Sequence, residues 1–104
     1  MADLVQTEWQ SQLQNDTNAV ILDVRTLAEV QHGKIPGAIH IDIYKGQEFV
    51  NEIMKLDKTK NYFVYCKSGG RSGQACAFMN QSGFENAFNL IGGIMQWQGE
   101  ISDN

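Results

Sequence analysis

The chain contains four short apolar runs, each of a length typical of β-strands. Two are continuous, AVILDV at residues 19–24 and YFVY at residues 62–65. Runs of this kind are typical of strands covered on both faces, as in a parallel sheet. Shorter apolar runs at residues 38–41 and 87–90 predict two further strands.

Between these runs, apolar residues recur at helical spacing. The first helix is predicted to be capped by the Thr7 side chain, with Gln10 completing a capping box, and Trp9 and Leu13 share one of its faces. Gly83 is predicted to end a later helix in a left-handed conformation. The other predicted helical segments are Thr26 to Gln31, Gln47 to Leu56, Ser72 to Ser82, and a last turn at Ile94 to Trp97.

Strands that alternate with helices predict an α/β domain with a largely parallel sheet and helices on both faces. The pattern does not determine the order of the strands in that sheet. No internal repeat, low-complexity tract or proline-rich linker interrupts the 104 residues. We therefore expect a single domain over residues 1–104.

The composition excludes several classes of function. A formal net charge of −4 argues against nucleic acid as a partner, because phosphate backbones require a basic surface. Two cysteines are too few for a disulfide framework or a structural zinc site, and they fit a reducing compartment. No signal-like segment or apolar run of membrane length is present. We expect a cytoplasmic protein with no membrane association.

The segment CKSGGRS, residues 66–72, is the strongest candidate for chemistry. Cys66 ends a predicted strand at the edge of the sheet where α/β proteins bind ligands. Gly69 and Gly70 allow backbone amides to approach a ligand closely, and the helix that follows presents its positive end. With Lys67 and Arg71 nearby, the pKa of the Cys66 thiol should fall below its free value of about 8.5. The alternative, a cysteine that only fills the core, does not explain the glycine pair and the flanking cations.

The charge distribution supports this assignment. Residues 58–84 contain four basic side chains and no acidic one, although the chain as a whole is acidic. Half of the cations therefore lie in the segment around Cys66, where a small anion would arrive.

The remaining candidates are expected to be structural. Cys76 lies on the apolar face of a predicted helix and should pack in the core. His32 and His40 have no second ligand at metal spacing, so no metal site is expected. Trp97 is expected to anchor the core rather than to hold a substrate. A cluster of Asp23, Arg25 and Glu29 is expected to form ion pairs that support the loop after the first long strand, in preference to a catalytic role.

Four segments, in this order and spacing, resemble the rhodanese family of sulfurtransferases over nearly the whole chain. They are LDVRTLAEV (22–30), KIPGAIHI (34–41), CKSGGRS (66–72) and NLIGGIMQW (89–97). The family usually has histidine where Lys34 stands, whereas here His32 lies two residues earlier. That loop is mainly structural in the family, so this departure does not put activity in doubt.

The resemblance implies a five-stranded parallel sheet and a catalytic Cys66 that carries a sulfane sulfur as a persulfide. Arg71 would match the arginine that closes the catalytic loop, and Asp23 and Arg25 would support it. No cofactor is implied. The residues whose backbone would cradle the persulfide as the substrate-binding set are Lys67, Ser68, Gly69, Gly70 and Ser72.

Three functions remain open at this point. The first is a sulfurtransferase that moves sulfur from thiosulfate or a persulfide to cyanide, a thiol or a thioredoxin-like protein. The second is a sulfur carrier or sulfide sensor with negligible free turnover. The third is a phosphatase or arsenate reductase, whose loop in related proteins is one residue longer than Cys-x4-Arg. The expected partners are a small anionic sulfur donor and a thiol acceptor, with the protein a monomer or weak dimer.

Overall fold

The computed structural model describes residues 3–103 and has a five-stranded sheet in which all paired strands are parallel. The sheet order is β1-β5-β4-β2-β3. This confirms the expected α/β fold. The strands are β1 (Asp3–Leu4), β2 (Ala19–Asp23), β3 (Ile39–His40), β4 (Asn61–Tyr65) and β5 (Asn86–Leu90).

Four helices connect the strands. They are α1 (Gln6–Gln14), α2 (Leu27–Gln31), α3 (Gln47–Met54) and α4 (Gly70–Gln81). Short 3-10 turns lie at Ile43–Lys45, after β3, and at Ile94–Gln96, after β5.

The side chains of the central strand β4 alternate between two apolar clusters, one on each face of the sheet. Tyr62 and Val64 belong to the cluster that packs under α3 and α4. Phe63 and Tyr65 belong to the opposite cluster, where they pack on Trp9 of α1. The sheet is therefore covered on both faces, which explains the continuous apolar runs in the sequence.

Two helix ends differ from the expected ones. α1 begins at Gln6 with Val5 as its N-cap and has no side-chain cap, so the expected Thr7 cap is wrong. Thr7 lies inside the first turn, because pairing of the preceding strand β1 with β5 fixes where the helix can begin. α4 begins at Gly70, two residues before the expected Ser72, so Gly70 and Arg71 already belong to the helix.

Other local expectations are confirmed. Gly83 has φ +97°, and the Phe84 amide donates to the Met79 carbonyl at 3.1 Å, which is the bonding pattern of a glycine-terminated helix. The cap of α2 was not among the expectations: Thr26 is its N-cap and forms a capping box with Glu29. Trp97 packs edge-on against Trp9 in the core, with ring centroids 5.4 Å apart.

The parallel register brings the ends of three strands to one edge of the sheet. Asp23 at the end of β2 pairs with Tyr65 at the end of β4, and Asn89 of β5 pairs with Val64. Cys66 follows Tyr65 directly, so it emerges between the ends of β2 and β5. This edge is where ligands bind in open α/β sheets.

Candidate functional site

The loop between Cys66 and α4 is short and sharply turned. It comprises residues 67–69, and its last residue, Gly69, has φ +108°. A β-carbon at Gly69 would lie 3.4 Å from the Leu90 carbonyl oxygen and 3.5 Å from the Gly92 nitrogen. The backbone conformation therefore favours glycine here, while a β-carbon would meet the neighbouring segment only at ordinary van der Waals distance.

Three donors surround the Cys66 sulfur. The amide of Gly69 lies 3.1 Å from Sγ, the amide of Ser72 lies 3.4 Å from it, and the Ser72 hydroxyl lies 3.3 Å from it. Cys66 itself is only 1% exposed. The sulfur thus sits inside the turn, at the N-terminal end of the 12-residue helix α4.

The pKa of the Cys66 thiol is lowered, as the sequence predicts, but for a more specific reason. Burial raises this pKa, and hydrogen bonds from Ser72, Gly69 and Ser68 more than offset the effect of burial. Directed hydrogen bonds, rather than the charges of Lys67 and Arg71, are therefore the main source of the shift. The arrangement favours a thiolate without a histidine base.

The Arg71 guanidinium is engaged by a carboxylate and an aromatic ring. Its two terminal nitrogens bond the two carboxylate oxygens of Glu29 at 2.7 and 2.9 Å, and its Cζ lies 5.4 Å from the ring centroid of Tyr44. This bidentate pair lowers the pKa of Glu29 to about 2 and raises the pKa of Arg71. Arg71 thereby ties the start of α4 to the start of α2.

The acid stability of the protein should reveal this ion pair. The folded pKa of Glu29, about 2, is below its ordinary value of 4.5. The pair therefore stabilises the fold fully above about pH 4.5, and its contribution is lost as the pH falls through about 2. We expect Glu29→Gln to be less stable than the wild type at neutral pH, with the difference shrinking as the solution is acidified. Urea unfolding at a series of pH values measures this.

Glu52→Gln is the matched control for that measurement. Glu52 pairs with Lys55 at 3.2 Å, but both side chains are more than half exposed, so little effect is expected. A constant difference between Glu29→Gln and the wild type from neutral pH to pH 2 would contradict the assignment.

Asp23 and Arg25 form a buried ion pair at the end of β2. The Arg25 guanidinium bonds Asp23 Oδ2 at 2.7 Å and the Gly33 carbonyl at 2.8 Å. The Tyr65 hydroxyl also donates to Asp23 Oδ2, at 2.6 Å. The supporting ion pair expected from the sequence is present between Asp23 and Arg25, but the Glu29 carboxylate is not part of it and instead pairs with Arg71.

The segment after β5 holds the loop from the other side. The amides of Ile94 and Met95 donate to the carbonyls of Cys66 and Lys67 at 2.9 and 3.0 Å. Gly93 has φ +63°, and a β-carbon there would collide with the Lys67 carbonyl and the Ser68 amide. Glycine at position 93 therefore permits the close approach of this segment to the Cys66 loop.

Lys67 and Ser68 form the exposed crest of the loop. Lys67 also borders a cleft of about 270 Å³ beside the loop, which His32, Ile94 and Met95 line together with Arg25 and Glu29. The cationic character expected around Cys66 is thus presented by Lys67, while Arg71 is neutralised by Glu29.

The second cysteine is separated from this chemistry. Cys76 is fully buried on α4, and burial raises the pKa of its thiol to about 12. This confirms its expected packing role. His40 bonds the Arg25 carbonyl at 2.6 Å, and residues 3–103 contain no group of three or more His, Cys, Asp or Glu side chains able to hold a metal ion.

Two residues of the site, Asn89 and Tyr44, and one pairing, that of Glu29 with Arg71, were missed by the sequence. Asn89 joins Ser72 to the loop, Tyr44 covers Arg71, and Glu29 pairs with Arg71. Asn89 carried a signal, since it is a polar residue inside the apolar strand NAFNL. No pattern in the sequence indicates that Tyr44 or Glu29 contacts Arg71, because those contacts join residues far apart in the chain.

Comparison with known proteins agrees with this geometry. The model of the rhodanese-like domain matches residues 6–100. The chain belongs to the rhodanese-like domain family.

Two curated proteins and one solved structure show how closely this rhodanese-like chain matches known members. A sulfurtransferase of Allochromatium vinosum is 39% identical over 93% of this chain and 89% of its own length. YrkF of Bacillus subtilis, named as a candidate sulfur carrier, is 30% identical over 88% of this chain and 48% of its own length. A rhodanese-like domain protein from Staphylococcus aureus has a TM-score of 0.84 and 26% identity, and the alignment covers 100% of this chain and 99% of that one.

These relatives support a role in sulfur transfer or sulfur carriage for the rhodanese-like chain. Within residues 3–103, no helix has both the length and the apolar character that a bilayer crossing requires.

Proposed function

We propose that the protein is a sulfurtransferase in which Cys66 takes a sulfane sulfur from thiosulfate or a persulfide and passes it to a thiophilic acceptor. The observation that carries this proposal is the Cys66 sulfur, held at the end of β4 by donors from Gly69 and Ser72. Such donors stabilise negative charge on a sulfur, which both steps of a two-step transfer require.

In the first step, the Cys66 thiolate attacks the outer sulfur of the donor. With thiosulfate, a new sulfur–sulfur bond forms at Sγ, the bond inside thiosulfate breaks, and sulfite leaves with the electron pair. Cys66 then carries a persulfide whose outer sulfur is negatively charged. The proposed role of Lys67, Ser68, Gly69, Gly70 and Ser72 is to receive that charge with their backbone donors, and the amides of Gly69 and Ser72, which lie near Sγ, support this.

In the second step, the acceptor attacks the outer sulfur of the persulfide. The bond to Sγ breaks, and the electron pair returns to Cys66 as a thiolate. With cyanide, the product is thiocyanate. The Cys66 persulfide is the product of the first half-reaction and the reactant of the second. Because the first product leaves before the acceptor reacts, ping-pong kinetics are expected.

The surface charge favours a small anionic donor. Lys67 stands exposed beside Cys66 and supplies this charge, whereas Arg71 is paired with Glu29, and Lys58 and Lys60 precede β4, at the opposite end of that strand from Cys66. A locally positive field raises the encounter rate of anions with the site. The proposed acceptors are a small thiol or a thioredoxin-like protein, and a free thiolate at Cys66 requires a reducing compartment such as the cytoplasm.

Arg71 argues against the phosphatase and arsenate reductase alternative. A tetrahedral oxyanion is best held by a free guanidinium fork, which can bond two of its oxygens. Here that fork is occupied by the Glu29 carboxylate. The turn between Cys66 and α4 is also short, and a shorter loop makes a smaller cradle, which suits one sulfur better than a tetrahedral oxyanion.

A sulfur carrier is the second candidate, and the burial of Cys66 favours it. Cys66 is 1% exposed, and this burial limits the access of water and small thiols to its sulfur. A carrier would load one sulfur atom and release it only to a specific protein.

A panel of donors tests the proposal. The protein is incubated with thiosulfate, polysulfide or glutathione persulfide, and intact mass spectrometry follows the gain of one sulfur atom at Cys66. Cyanide is then added and thiocyanate is measured. Loading followed by rapid release to cyanide supports the transferase, and loading without release to cyanide or thiols supports the carrier. Failure to load from every donor would overturn both.

A further inference from the structure

Asn89 is a buried polar residue next to the Cys66 loop, and its neighbours determine how its amide is oriented. Its Nδ2 lies 2.9 Å from Asp3 Oδ1 and 3.1 Å from the Gly69 carbonyl oxygen. A carboxylate and a backbone carbonyl only accept hydrogen bonds, so the amide nitrogen must face them. The amide oxygen therefore faces the Ser72 hydroxyl, at 2.5 Å.

The Ser72 hydroxyl has one proton and two acceptors within reach. Asn89 Oδ1 lies 2.5 Å from Ser72 Oγ, and Cys66 Sγ lies 3.3 Å from it. A neutral sulfur accepts hydrogen bonds weakly, so the amide oxygen is the better acceptor while Cys66 is uncharged. A thiolate reverses this order, because bonds to an ionised acceptor are roughly twice as strong as neutral ones.

We propose that Asn89 is a positioning residue: its amide oxygen accepts the hydrogen bond of the Ser72 hydroxyl while the Cys66 sulfur is uncharged, and the hydroxyl turns to donate to Sγ when the thiolate forms, its proton staying on Oγ throughout. Asn89 does not touch the reacting atoms. It acts through the hydroxyl of Ser72, which turns between two fixed positions.

This inference rests on the proposed function where it concerns sulfur transfer. In the persulfide, the negative charge lies on the outer sulfur, and the Ser72 hydroxyl donates its hydrogen bond to Asn89. When the acceptor attacks and the electron pair returns to Sγ, the hydroxyl turns to the sulfur. The bond from Ser72 is therefore gained as charge develops on the leaving sulfur, which accelerates the step more than a bond already present in the persulfide.

The charged and titratable groups near Cys66 come from several elements. Arg71 and Cys76 of α4 interact electrostatically with it, Lys67 adjoins it in the loop, and Asp3 of β1 lies behind Asn89. Cys76 is replaced by serine throughout the test, and Arg71, Lys67 and Asp3 are kept in every variant, so a difference in titration between variants reports the Asn89–Ser72 contact.

The test is a pH titration of the Cys66 thiolate by its ultraviolet absorbance, in a Cys76→Ser background. Asn89→Leu removes the competing acceptor, so the pKa of Cys66 should fall by about half a unit. Asn89→Asp keeps an acceptor and makes it anionic, so this pKa should rise by about one unit, a tenfold loss of thiolate at a fixed pH below it. Asn86→Leu, at the exposed start of the same strand, is the control and should leave the pKa unchanged.

The same substitutions in a Ser72→Ala background decide the mechanism. If Asn89 acts through Ser72, both shifts fall to less than half in that background. A rise in Asn89→Leu would overturn the proposal, because it would mean that Asn89 only braces the loop. Equal shifts with and without Ser72 would do the same, since they would report charge through space. If Asn89→Asp does not fold, the direction of the pKa change in Asn89→Leu alone still decides between the outcomes.

The titration uses no sulfur donor or acceptor. A protein that lacks transferase activity can still show a lower Cys66 pKa in Asn89→Leu and a higher one in Asn89→Asp. An active transferase can fail to show these two changes. The two proposals therefore fail separately.

Discussion

Replacing Cys66 by serine is expected to reduce thiocyanate formation from thiosulfate and cyanide by about a thousandfold or more, the scale at which loss of a nucleophile acts in covalent catalysis. A serine hydroxyl stays protonated at neutral pH, and its oxygen forms no persulfide. The donors that hold the sulfur, Gly69 and Ser72, remain in the variant. The loss should therefore appear in turnover and in the failure of the protein to gain a sulfur atom by mass, while the fold persists by circular dichroism.

Cys76→Ser is the matched control, because it makes the same atomic change ten residues further along the chain. Cys76 is fully buried, and burial raises the pKa of its thiol to about 12, so it contributes no thiolate at neutral pH. This variant should keep most of the activity of the wild type. Comparable activity in Cys66→Ser and the wild type would contradict the assignment of the nucleophile.

The different roles of the two cysteines could be predicted because they depend on local sequence. Cys66 ends an apolar strand and precedes a glycine pair and a helix, whereas Cys76 lies at helical spacing from apolar neighbours. The strands β2 and β4 and the glycine at the end of α4 were predictable for the same reason. Each is determined by residues within one turn or one strand of itself.

Long-range pairing was beyond the reach of the sequence pattern. The edge strand β1 has two residues, Asp3–Leu4, which is too short for any periodicity to show, and it forms only by pairing with β5 at the other end of the chain. That pairing also moved the start of α1 away from the expected Thr7 cap.

The partner of a charged side chain was equally hidden in the site. Arg71 was expected to add its charge at the sulfur, yet its guanidinium is paired with Glu29, 42 positions earlier in the chain. The sequence shows which cations lie near Cys66 along the chain, but not which of them a distant carboxylate neutralises. The lowered pKa of Cys66 was therefore predicted correctly in direction, with its main source in the hydrogen bonds rather than in the charges.

Arg25→Met is expected to cost about 3–5 kcal/mol of stability, because it removes one partner of a buried ion pair and leaves the other charged. Asp23 is fully buried, and the Arg25 side chain is 6% exposed. In the variant, Asp23 keeps the Tyr65 hydroxyl and the Arg25 backbone amide, but it loses three contacts to the guanidinium. Urea unfolding measures the loss as a lower midpoint.

The double variant Asp23→Leu with Arg25→Met tells whether the charge left behind is responsible. An apolar pair of similar volume has no buried charge to satisfy, so about half or more of the lost free energy of unfolding should return. If the losses in free energy of unfolding from the two substitutions instead add, then Arg25 stabilises the protein mainly through its bond to the Gly33 carbonyl. Its role would then be to hold the loop after α2. Recovery would mean that the ion pair is retained for the positions it imposes on β2 and β4 at the edge where Cys66 emerges, rather than for stability.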